Sequence, residues 1–167
     1  MKLRSRGSSA SSVPVPVTVR RLRPGDEAVL AHLARHNDRF GSMEDRTELE
    51  PLLPGDASTF LADDRTATFV AFAGEDPVGF LYACELYRRH TVLRHLCIYE
   101  VGVSDRHRNQ GIGPALLAAV GDHARTQGIE RGFVVTHTSN QAAMALHAAA
   151  GGQRTATDEA VFAFTWT

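Results

Sequence analysis

The stretch that most restricts the fold is YEVGVSDRHRNQGIGPALL, residues 99–117. An apolar strand runs into a short polar loop, and the loop runs into a helix whose first turn contains Gly111 and Gly113. Glycine lets the backbone approach a ligand closely, and a helix start displays unpaired N–H groups at the positive end of its dipole. Such a turn suits phosphate oxygens. Arg106 and Arg108 add positive charge beside it. A mononucleotide loop would need a Lys-Ser or Lys-Thr pair, and none occurs. A dinucleotide turn would need a third glycine where Leu116 stands. Neither nucleotide signature is therefore met.

Around this turn the chain is ordinary. Its 167 residues are 43% hydrophobic and 22% charged, with a net charge of −1, which suits one globular domain with a real core. No apolar run reaches the roughly 20 residues of a membrane-spanning helix. A balance of 18 basic to 19 acidic residues speaks against a dedicated nucleic-acid binder. Cys84 and Cys97 are too few for a disulfide framework and read as two thiols buried on strands, so a cytoplasmic location is expected. His32 and His36 are four apart but lack the glutamate of a zinc-binding H-E-x-x-H, and no nucleophile elbow occurs; no metal is expected.

The order of elements reads as an α/β chain. Residues 1–16 are basic, then Ser-rich, then Pro-alternating, and form a flexible leader; residues 17–167 form the folded domain. A strand is expected over 17–22 and a helix beyond Asp26 carrying Val29, Leu30 and Leu33. Residues 37–58 are polar and acid-rich, with a short helix around 43–53 and breaks at Pro51 and Pro54. Strands follow at 66–73, 78–86 and 95–103, the first two joined by a turn at Gly74-Glu75-Asp76-Pro77. A helix over 113–127, a strand over 132–138, an Ala-rich helix over 141–150 and a last strand over 160–166 complete the chain.

Arg108-x-x-Gly111-x-Gly113, set between strand and helix, resembles the pyrophosphate signature of the Gcn5-related N-acetyltransferases. The stretch from Asn140 to Gly152, NQAAMALHAAAGG, is similar to that family's second signature, N-x-x-A-x-x-L-Y-x-x-x-G-F. The resemblance covers about residues 17–166 and implies that family's fold, a mixed, mostly antiparallel central sheet flanked by helices. It also implies acetyl-CoA as co-substrate. Its pyrophosphate would lie on the loop amides of Gln110, Gly111, Ile112, Gly113 and Ala115, beside Arg108 and Asn109, while the backbone of Val101, Gly102 and Val103 pairs with pantetheine like a further strand. Asn140 opens the second signature on the same side.

Direct transfer of an acetyl group to an amine needs a base for the ammonium and a donor for the departing thiolate. Glu100, beside the pantetheine backbone, is the expected base; the alternative is a structural glutamate paired to an arginine such as Arg94. The family's usual tyrosine acid falls on His147, which either donates the proton itself or is an ordinary surface histidine. For the acceptor, the acidic run between Asp38 and Asp64 suits a polycationic amine, or is merely a solvated face. Arg39-Phe40-Gly41, Thr68 to Ala71 and Ile98 to Ser104 further resemble the aminoglycoside 3-N-acetyltransferases of the gentamicin-modifying type. On that reading Glu44, Asp45, Glu85, Tyr87 and Asp158 flank the acceptor, and antibiotic resistance is the biological role. Other amines, a protein amino terminus, or a non-catalytic acyl-CoA-binding module are the alternatives. No nucleic-acid or membrane partner is expected, and a homodimer is compatible with the terminal strand.

Overall fold

The computed structural model describes residues 16–41 and 52–154. The expected short helix at 43–53, for all but its last two residues, lies outside them, as do Glu44, Asp45, Asp158 and the last strand. Five strands form one sheet in the order β1-β2-β3-β4-β5. They are β1 (Val17–Arg21), β2 (Thr66–Ala73), β3 (Asp76–Tyr87), β4 (Arg94–Val103) and β5 (Arg131–Val134). The first four pair antiparallel and β5 joins β4 in parallel, the mixed sheet expected.

Helices cover both faces. On one lies α3 (Ile112–Thr126), whose Ile112, Leu116 and Val120 recur every fourth residue and bury against Ala67, Val78 and Leu81. On the other lie α1 (Glu27–Arg35) and a 3-10 turn at Asn37–Phe40. They deliver Leu33 and Phe40 to Val70, Phe72 and Phe80. Alternate β2 residues thus serve opposite cores, which explains why that strand is apolar throughout rather than alternating.

Local chemistry accounts for most boundaries. Asp26 occupies the residue before α1, yet its carboxylate accepts from Arg20 at 2.8 Å and from the Arg23 amide at 2.8 Å instead of capping the helix. Gly74, with φ of +65°, makes the β2–β3 connection a two-residue turn, so Asp76 and Pro77 belong to β3. The expected break at Pro54 is instead the start of α2 (Pro54–Ala62). Proline suits the first helical position because the N–H it lacks has no intrahelical acceptor there. Beyond α3, β5 stops at Val134, short of the expected 138, and α4 (Gln141–Ala149) follows.

The end of β5 reflects a defect in its neighbour. Tyr82 pairs with Glu100 and Ala83 with Ile98, so Tyr99 is an extra residue in β4. Such a bulge bends a strand and sharpens its twist. β5 follows β4 only from His95 to Ile98; past the bulge, the β5-facing edge of β4 has no partner strand among the described residues.

Candidate active site

Where β4 and β5 part, a cleft of about 1190 Å³ opens. β4 lines one wall with Cys97 to Val101 and Val103, the turn before α3 forms the end, and α4 supplies the other wall through Ala142, Leu146 and His147. Of the residues expected from sequence, Glu100, Val101, Val103, Arg108, Asn109, Gly111, Ile112, Gly113, Asn140 and His147 all line it.

The end wall has the chemistry of an anion site. Gly111 has φ of +79° and nothing within 4 Å of where a side chain would begin, so its backbone faces open space. Its carbonyl takes the first helical hydrogen bond, from Ala115 at 3.1 Å. Pro114 has no N–H, which leaves Ile112 and Gly113 as the helix-start donors at the positive end of the α3 dipole. The Ala115 amide, expected among the phosphate donors, is committed to the helix. Asn109 adopts φ of 61° and continues the turn. Arg108 reaches back to the Val103 carbonyl at 3.3 Å and pairs with Asp105 at 2.7 Å, while one guanidinium nitrogen packs over Gly41. Gln110 turns away, its side-chain amide donating to the Arg106 carbonyl at 3.1 Å.

Two glycines set the walls. A side-chain carbon on Gly102 would come within 2.8 Å of Phe40 and 2.7 Å of Phe80, so Gly102 is a packing residue that docks the 3-10 turn on β4 and does not itself line the cleft. A side-chain carbon on Gly113 would stand 3.1 Å from Leu146. This contact seats α4 against the start of α3. Asn140 caps α4, its side-chain oxygen accepting from the Ala143 amide at 3.1 Å. The capped helix presents His147 to the cleft, where burial lowers the imidazole pKa below its ordinary 6.5.

Glu100 stands at the bulge, level with Tyr82 across the ladder. The alternative partner Arg94 is engaged elsewhere: it donates to Glu85 at 2.7 Å and to the Gln127 carbonyl at 2.5 Å. Glu85 is the correction among the acceptor residues. It follows Leu81 and Ala83 on the α3 face, is buried, and clamps the far end of β3 to the end of α3. Tyr87, 67% exposed, lies past the last β2 partner and is not brought to the cleft either. Among the lining residues that sequence reasoning passed over are Tyr99, Cys97, His107 and the segment from Val135 to His137. Only Tyr99 carried a signal, as an aromatic next to the expected base.

The splayed strands, the glycine turn and the capped α4 lie within a stretch that matches a known family. Residues 31–151 match the model of the acetyltransferase (GNAT) family. The chain belongs to that family. Rat N-acetyltransferase 8B is 32% identical over 97 residues, which cover 58% of this chain and 44% of that protein. The match thus spans less than half the length of this relative. An aminoglycoside acetyltransferase from an uncultured soil metagenomic sample superimposes with a TM-score of 0.75 at 26% identity, over 91% of this chain and 98% of that one. The aminoglycoside N-acetyltransferase AAC(6')-Iy, solved with CoA, gives a TM-score of 0.68 at 18% identity, over 90% of this chain and 100% of its own. The end wall has the chemistry to meet a pyrophosphate: helix-start amides at Ile112 and Gly113, an open glycine backbone at Gly111 and the Arg108 guanidinium. Among the described residues there is no group of three or more metal-binding side chains, and no helix is long and apolar enough to cross a membrane.

Proposed function

We propose that this GNAT acetyltransferase acetylates a primary amine on a polycationic small molecule of the aminoglycoside kind, at the 3-amino position of a gentamicin-like acceptor. The observation that carries the reading is the position of Glu100, which lines the cleft at the bulge where β4 leaves β5. Acetyl-CoA supplies a thioester acyl group. The amides of Ile112 and Gly113, with Arg108, hold its phosphates, and the unpaired edge of β4 at Val101 and Val103 receives its extended arm. Glu100 takes a proton from the acceptor ammonium, directly or through water, so that a neutral amine is held for attack. His147 stands on the facing wall and returns a proton on the side of the departing sulfur. The acid-rich segment, with Glu44 and Asp45, adds negative charge that attracts such a cation.

Thiol release from acetyl-CoA, measured over gentamicin, simple polyamines and peptides with free amino termini, tests the reading. Turnover on gentamicin with acetylation at the 3-amino group is expected. CoA binding without turnover on any amine refutes the enzyme, and turnover confined to peptides refutes the aminoglycoside acceptor.

A further inference from the structure

An aromatic ladder crosses the sheet face opposite α3 and ends at the cleft. Phe60 of α2 lies 5.2 Å from Tyr82 of β3, and Tyr82 lies 5.7 Å from Tyr99 of β4, ring centre to ring centre. The bulge makes the last step. In a regular strand Tyr99 would point away from the face that Tyr82 and Glu100 share, because neighbouring residues alternate. With one extra residue inserted, the Tyr99 ring comes round to Tyr82, and both Tyr99 and Glu100 line the cleft. Tyr99 remains 60% exposed there. A tyrosine ring face is electron-rich and attracts a cation placed within about 6 Å of its centre.

We propose that Tyr99, buttressed by Tyr82 and Phe60, is a binding subsite for a second, non-reacting ammonium of the acceptor. The inference rests on the amine-acetyltransferase reading above and narrows its substrate class to di- and polyamines. The chemistry of the neighbours gives the reason for two sites. The amine that reacts must lose its proton and sits by the Glu100 carboxylate. An amine that stays charged needs a partner that does not remove its proton, and an aromatic face meets that need without competing as a base. The nonpolar backing of Tyr99 by Tyr82, a partly buried ring whose phenol pKa is raised by burial, keeps the shelf uncharged.

Acetylation of putrescine is compared with that of n-butylamine, which has the same reactive end and lacks the second charge. The measure is the ratio of their kcat/KM values in the wild type, Tyr99→Phe and Tyr99→Leu. The wild type is expected to favour putrescine, Tyr99→Phe to keep that ratio, and Tyr99→Leu to lower it about fivefold or more through KM. An unchanged ratio in Tyr99→Leu overturns the subsite. An equal fall in Tyr99→Phe and Tyr99→Leu also overturns it, since the hydroxyl and not the ring would then hold the cation. If the wild type acetylates no amine, the function reading fails by itself. Putrescine binding to the CoA complex, followed by tyrosine fluorescence in the same three proteins, then decides the subsite: weaker binding in Tyr99→Leu alone supports it, and any other pattern overturns it.

Discussion

Glu100 lies directly across the β3–β4 ladder from Tyr82, one residue past the bulge that carries Tyr99. This places a carboxylate on the stretch of β4 that, among the described residues, runs beyond its β5 partner and lines the cleft. Replacing Glu100 with Gln keeps the shape and removes the carboxylate proposed as the base. At neutral pH kcat is expected to fall about 10- to 100-fold, toward the lower end of general-base effects because water can relay the proton. The deficit narrows as pH rises toward the pKa of the acceptor amine, when the amine arrives already neutral. A kcat profile over pH for both proteins checks this; parallel profiles would remove Glu100 from the proton path.

His147, proposed as the proton donor, stands where the family signature carries a tyrosine, and burial holds its imidazole below the ordinary pKa of 6.5. Above neutrality it is therefore mostly uncharged and a poor proton donor. A phenol remains protonated to about pH 10. His147→Tyr is expected to raise kcat about threefold to tenfold at pH 8, with less gain at pH 6. Steady-state rates at the two pH values decide it, and an equal or lower rate at pH 8 assigns His147 to packing.

The 3.1 Å approach of Leu146 to the Gly113 side-chain position joins the helix-start amides proposed for CoA to the seating of α4. Gly113→Val pushes Leu146 outward and crowds the helix-start amides. Overpacking of this kind weakens CoA binding about tenfold, measured by calorimetry. CoA affinity equal to the wild type would show that these amides are not the phosphate donors.

Glu85 and Arg94 form a pair in which the carboxylate is 6% exposed and the guanidinium 28%. Removing the charge of one partner strands the other, and Glu85→Gln is expected to destabilise the fold by about 2–3 kcal/mol. Urea unfolding gives the loss. The KM for the acceptor should stay as in the wild type, since Glu85 is on the far face of the sheet; a raised KM with unaltered stability would return it to the acceptor site.

Acid should weaken the fold through its histidines. His32, His123 and His147 all have pKa values lowered from 6.5, with burial the largest cause in each. Below about pH 6.5 the unfolded chain binds more protons at these sites than the folded one, so stability is complete above that pH and falls as pH drops toward the folded values. Tm is expected to decline between about pH 7 and pH 5, and His123→Phe, which keeps a ring against Phe69, should flatten the decline. An unchanged slope would show that His123 titrates alike in both states.

The legible parts of this protein were those coded by neighbours in the chain. Gly111 and Gly113 announced the glycine turn because a positive φ and a close approach are demands that few other residues meet. Pro54 misled, since proline breaks a helix interior but suits a first turn, and residue type does not say which. Ala115 misled similarly: its amide is spent on the Gly111 carbonyl, a choice settled by where α3 begins.

Residue order alone carried the α/β element order, the glycine turn and the family, because periodicity, glycine geometry and short signatures are local properties. Tertiary structure decided which face each β3 and β4 residue occupies. One extra residue at Tyr99 reverses the side-chain alternation, and its effect exists only against the register with Tyr82 and Ala83. That long-range pairing brings Tyr99 and Glu100 to the cleft together, where β5 has ended. Strand register is set by partners distant in the chain, so no local reading of residues 94–103 contains it.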